Sequence, residues 1–161
     1  MVTYKLFRIR NGKLYPLYVE SNREMPIGEW LVAGTGERVD DTHVKASGCG
    51  GKLSLRPGFH STLVPFTDWI GKRENGILVQ RKNTVWCKCR VRGKEQHPTG
   101  KNGSPVLLDG WYKFRTNAKQ NDKDPWIISN ELYIEKIMTP AEVAEKCHEF
   151  GIEPQKMEVC A

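Results

Sequence analysis

The chain has 161 residues, 39% hydrophobic and 27% charged, with 25 Lys and Arg against 19 Asp and Glu, a formal net charge of +6. This length fits one domain around one core and argues against a second, and the apolar content excludes a disordered chain. No stretch approaches the roughly 20 apolar residues of a membrane span, and Met1 to Arg10 lacks the unbroken apolar run of a signal peptide, so the expectation is a cytoplasmic protein with no membrane contact.

Thr3 to Ile9 and Leu14 to Val19 are rich in aromatic and β-branched residues, and Asn11-Gly12 between them tolerates the positive φ angles of a tight turn, so the spacing predicts an opening hairpin. Pro26 and Gly28 punctuate a turn before the short apolar run Trp30 to Ala33. Gly34 to Gly51 carries five glycines and three acidic residues and reads as a long surface loop, the kind that often carries function or orders only on binding. Leu53 to Leu55 resumes apolar character, and Arg56-Pro57-Gly58 turns the chain into Phe59-His60-Ser61-Thr62.

Thr67 to Ile70 fits one helical turn, and Glu74-Asn75-Gly76 a tight turn. Ile77 to Gln80 and Thr84 to Val91 read as a hairpin or as two sequential strands. Arg92 to Pro105 reads as a second exposed loop, and Gly110 to Thr116, Pro125 to Ser129 and Glu131 to Met138 complete about seven strands. One helix follows: Thr139 caps it, Pro140 suits its first position, Glu142 closes a capping box, and Gly151 ends it. Val143, Cys147 and Phe150 form the stripe that docks it. The sum is an α+β domain over residues 1–153, an antiparallel, strand-rich twisted sheet with one C-terminal helix packed on it, and a loosely ordered tail over 154–161.

Five cysteines at irregular spacing argue for free thiols in a reducing compartment. In Trp86-Cys87-Lys88-Cys89-Arg90, strand alternation puts Cys87 and Cys89 on one face and Trp86, Lys88 and Arg90 on the other. Two thiols on one side, with Cys49 or His60 as further ligands, are a candidate zinc set, although one C-x-C is weaker than paired knuckles and buried Cys is ordinary core filling.

On the opposite face Lys88, Arg90, Arg92 and Lys94, with Lys101 beyond them and Lys113 and Arg115 on a later strand, make a candidate cationic surface beside Trp86, Trp111 and Tyr112. Cations interleaved with aromatics suit nucleic acid or an acidic protein face, and they equally suit a solvated sheet face. A third constellation, His60-Ser61-Thr62 with an early Arg8 or Arg10 and a late Glu131 or Glu135, fits an ADP-ribosyltransferase-like pocket for NAD if those residues converge. The chain holds none of the nucleotide-binding, zinc-protease or serine-hydrolase motifs, which makes an enzyme the less favoured class.

The segments Met25 to Leu31, Leu55 to His60, Asn83 to Cys87, Gly110 to Asn117 and Trp126 to Ser129 together resemble a family of small, largely uncharacterised proteins of bacteriophages and mobile elements of gut bacteria. The resemblance implies interest in His60 and Arg115 rather than in Cys87 and Cys89. It also implies work against a host: a counter-defence protein of anti-CRISPR type that binds a Cas9-like nuclease effector and blocks DNA loading or cleavage. An NAD-using enzyme and a plain nucleic-acid-binding domain are the alternatives.

Overall fold

The computed structural model describes residues 1–17, 21–33, 43–45, 52–54, 58–67, 72–74, 77–97, 108–114, 126–152 and 156–157. It is α+β, as the sequence predicts. The elements in chain order are β1 (Val2–Arg10), β2 (Lys13–Tyr15), β3 (Trp30–Val32), β4 (His43–Lys45), β5 (Lys52–Ser54), β6 (Phe59–Thr62), β7 (Lys72–Glu74), β8 (Ile77–Gln80), β9 (Thr84–Val91), β10 (Trp111–Phe114), β11 (Trp126–Ser129), β12 (Glu131–Ile137), α1 (Pro140–Glu149) and β13 (Lys156–Met157). The opening hairpin forms where Asn11-Gly12 takes φ of 49° and 76°, pairing Arg10 with Lys13.

The main sheet has eight strands in the order β10-β11-β6-β1-β9-β12-β3, with β2 also on β1, and every pairing within it is antiparallel. β1 gives one edge to β9 along Val2 to Arg8. Its other edge is shared: β6 meets it at Tyr4 and Thr62, and β2 from Arg8 onward. The chain beyond β9 then reaches the far edge strand. Trp111 N donates to Lys94 O at 3.1 Å and Gln96 N to Trp111 O at 2.7 Å, so the ladder β9-β1-β6-β11-β10 closes into a ring.

Strand alternation sorts the side chains into two cores. Phe7, Phe59, Cys87, Cys89, Val91, Ile127, Leu132 and Ile134 point inward to one buried cluster. Tyr4, Leu6 and Trp86 point outward and are covered by Met138, Val143 and Cys147 as α1 crosses that face. Thr139 caps α1 with the predicted capping box, Pro140 opens it, and Gly151 follows the C-cap at φ 68°. Of the predicted docking stripe, Val143 and Cys147 are buried, while Phe150 is 47% exposed, because the helix has ended at Glu149 and residue 150 turns away.

Several local expectations change. β4 forms inside the stretch read as a loop and pairs with β5 just beyond it, and the rest of Gly34 to Gly51 lies outside the described residues. β8 pairs with β7 and β13, so β8 and β9 are sequential strands and not a hairpin. The tail read as loosely ordered supplies β13, which lies parallel to β8 through Lys156 and Val79. Of the predicted helical turn, only Thr67 is described, and it is buried without helical structure.

Candidate functional site

Register decides which predicted residues share a face. One row of partners runs Phe114, Trp126, Thr62, Tyr4, Lys88, Lys136 across six strands, all on the outer side. The neighbouring position on β10, Lys113, stands opposite Ile127, which points inward. Lys113 and Trp111 therefore lie on the other face from Lys88 and Arg90, and Trp111 packs against the inner core with its indole N–H donating to Gly93 O at 3.2 Å. Trp86 does share the outer face, but α1 buries it to 1% exposure. Lys94 is exposed beyond the end of β9, and Arg115 and Lys101 lie outside the described residues. Of the predicted cations, those that the described residues place together on the outer face are Lys88, Arg90 and Arg92.

Those three are not free cations. Glu135 takes Arg90 at 3.1 Å and Lys88 at 3.3 Å, the latter an ion pair without an aligned hydrogen bond. Arg92 donates two hydrogen bonds to Glu131, at 2.7 and 2.9 Å. The hydrogen bond from Arg92 lowers the Glu131 carboxyl from its ordinary value, and that from Arg90 does the same for Glu135. Sequence reasoning missed both carboxylates as members of this face, because they come from β12, 39 and 45 residues along the chain.

The aromatic content of the face also differs from the prediction. Trp30 from β3 and Tyr133 from β12 pair across strands with ring centres 5.4 Å apart. Arg92 lies 4.1 Å from the Trp30 ring and Arg90 6.0 Å from that of Tyr133. The register thus lines up Val2, Arg90, Tyr133 and Trp30 over four strands, with Glu131 and Val32 paired in the next row. Val2 is 43% and Val32 50% exposed, so α1 covers one half of the outer face and leaves this half open. Beside it, a groove of about 250 Å³ under α1 is lined by Tyr4, Met138, Lys88, Lys136 and Lys146 with helix carboxylates that pair with the last two.

Among the described residues the predicted metal set does not assemble. Phe59 and Ser61 face inward, so His60, between them, projects outward, where its ring meets Trp126 edge-on at 6.1 Å. Cys87 and Cys89 face inward, fully buried, and Cys49 lies outside the described residues. Among the described residues no three His, Cys, Asp or Glu side chains gather as metal ligands. Burial raises both thiols, Cys89 to about 12, and leaves them protonated.

The pocket for NAD does not converge either. Thr62 Oγ1 is spent on Tyr4 O and Val64 O, and Ser61 faces the interior. Arg8 binds Leu17 O, Arg10 stacks on Tyr15, and β1 and β9 separate β6 from Glu131 and Glu135.

These features define a small antiparallel sheet, closed by a parallel bridge between Glu95 and Trp111, with one helix over half of its outer face and an aromatic, ion-paired half left open. Compared with known proteins, the chain matches no family model, no curated protein and no solved structure.

Proposed function

We propose that this protein acts by binding another protein through the open half of its outer face, Val2, Trp30, Val32, Arg90, Arg92 and Tyr133. The observation that carries the reading is the row of Arg, Tyr and Trp side chains held in place by Glu131 and Glu135. Tight contacts are dominated by such residues, and side chains already fixed lose little freedom on binding. Arg90 and Arg92 are 54% and 50% exposed while each carboxylate is 27% exposed, so the face offers guanidinium edges outward. The matching surface presents carboxylates or carbonyls around an apolar centre that meets Val2 and Val32.

Nucleic acid fits less well, since Glu131 and Glu135 stand among the arginines where phosphates would lie. The phage resemblance points to a Cas9-like nuclease effector in the host cytoplasm as the partner, held so that it does not load or cut DNA. The test is capture of purified Cas9-type effector by the wild-type protein and by Trp30→Ala and Arg90→Glu variants, after nuclease treatment. Capture lost in both variants supports the reading. Capture equal in both removes this face, and no capture by the wild type removes the proposed partner.

A further inference from the structure

The eight-stranded sheet ends at β10 and at β3. β10 is bridged to the chain beyond β9, whereas among the described residues no strand pairs with the outer edge of β3. Register fixes what that edge offers. Ala33 N donates to Asn130 O in line with the pairing of Leu31 with Leu132, so alternation turns the main-chain groups of Leu31 and Ala33 toward β12 and those of Trp30 and Val32 away from it. Arg23 Nη2 donates to the outward Val32 O at 3.0 Å. The Trp30 N–H and C=O and the Val32 N–H have no partner among the described residues. Edges of this kind are ordinarily blunted by a charge, a proline or a bulge. Here the guarding charge sits on a carbonyl, whose second lone pair can still accept.

We propose that β3 is a homodimerisation edge, to which a second copy of this chain adds its own β3 in antiparallel pairing about a twofold axis at Leu31. The edge is self-complementary in that arrangement. Trp30 N–H meets the second copy's Val32 O and Trp30 O its Val32 N–H, and the twofold repeats both bonds. On the outer face Trp30 then stands opposite the second copy's Val32, an aromatic ring against a β-branched side chain. Charge favours a second copy over an unrelated strand. Arg23 is held beside Val32 O, and the pairing brings that oxygen to the peptide joining Glu29 to Trp30 in the other copy. Glu29 is exposed and has no ion pair among the described residues, so each copy's Arg23 meets the other's Glu29. A three-residue edge is smaller than a permanent dimer needs, which makes the association reversible with concentration. The axis stands perpendicular to the sheet, so the two outer faces lie side by side as one surface.

The test is sedimentation velocity of the full chain alone, from about 1 to several hundred micromolar. The weight-average mass should rise from one chain toward two over that range. Val32→Pro removes a donor that β12 does not use, and proline is accepted on an edge strand where its N–H would face solvent, so this variant should keep its circular dichroism and stay monomeric. Glu29→Arg sets two guanidiniums against each other and should raise the dissociation constant roughly tenfold or more. If Val32→Pro does not fold, Glu29→Arg, a change at an exposed side chain, decides alone. A wild type that stays monomeric throughout overturns the proposal, as does a dimer unchanged in either folded variant. No effector is present, so this outcome is independent of partner capture by the outer face.

Discussion

Arg92 lies over Trp30, its guanidinium carbon 4.1 Å from the ring centre, while its Nε and Nη2 donate to Glu131. Substituting either residue removes an interaction that is open to solvent, so Arg92→Ala and Trp30→Ala should leave the urea midpoint close to wild type. If the face binds a partner, the same variants should weaken that binding roughly tenfold or more, measured by titration calorimetry. Equal binding with an unchanged midpoint would assign the stack to solvent alone.

Closure of the ring depends on two glycines. A Cβ on Gly110 would stand 2.1 Å from Lys94 O, and one on Gly93 2.7 Å from the Gly110 Cα, both at positive φ. Gly110→Ala is therefore expected to open the seam and cost several kcal/mol, on the order of 3 or more, in denaturant unfolding. Gly12→Ala, whose Cβ meets nothing within 4 Å, should cost about 1 kcal/mol from its φ alone.

The buried amine and thiols pull the pH dependence of stability in opposite directions. Between pH 8 and 10.5 the folded chain has released the Lys5 proton that the unfolded chain keeps, so stability rises with pH. Around and above the ordinary thiol value of 9.0, the unfolded chain releases protons that Cys87, Cys89 and Cys147 keep when folded, Cys147 to about 11, so stability falls. Unfolding free energy should therefore stay nearly level from pH 8 to 9, where the Lys5 gain of about 1 kcal/mol is offset by a similar loss from the three thiols, and decline above pH 9. Lys5→Met should uncover the thiol loss as a fall of about 1 kcal/mol from pH 8 to 9; a variant curve parallel to the wild-type one there would contradict the shift.

The capping box makes a local test of helix cover. Thr139→Ala removes the acceptor for Glu142 N and should cost about 1 kcal/mol. Val143→Ala, at a side chain 1% exposed above Trp86, should cost about 2 kcal/mol by the cavity it leaves. Both should shift tryptophan emission toward longer wavelength before global unfolding, as Trp86 meets water.

Local chemistry made part of this fold legible. Asn11-Gly12 and the Thr139 to Glu142 box act within a few residues, and the inward parity of Cys87 and Cys89 follows from the pleat alone. The cationic face was not legible, because its extent depends on partners far along the chain. Lys113 is exposed on the face it shares with Ile127, away from Lys88, Trp86 is roofed by a helix beginning at Pro140, and Arg92 is paired by Glu131. Charge in a sequence shows cations, and only register shows what stands beside them. His60 carried the same ambiguity: its face was fixed by whether Phe59 or His60 met the core.

The closed ring also constrains how the chain is made. Ser61 meets Ile127 66 residues later, and Lys5 meets His60 55 residues later, so beyond the opening hairpin the early strands find their partners far along the chain. During synthesis β1 and β6 must wait with bare edges until β9 and β11 have left the ribosome, and folding becomes a late, whole-chain event. A chain released before β11 would carry those edges into the cell unpaired, as templates for aggregation.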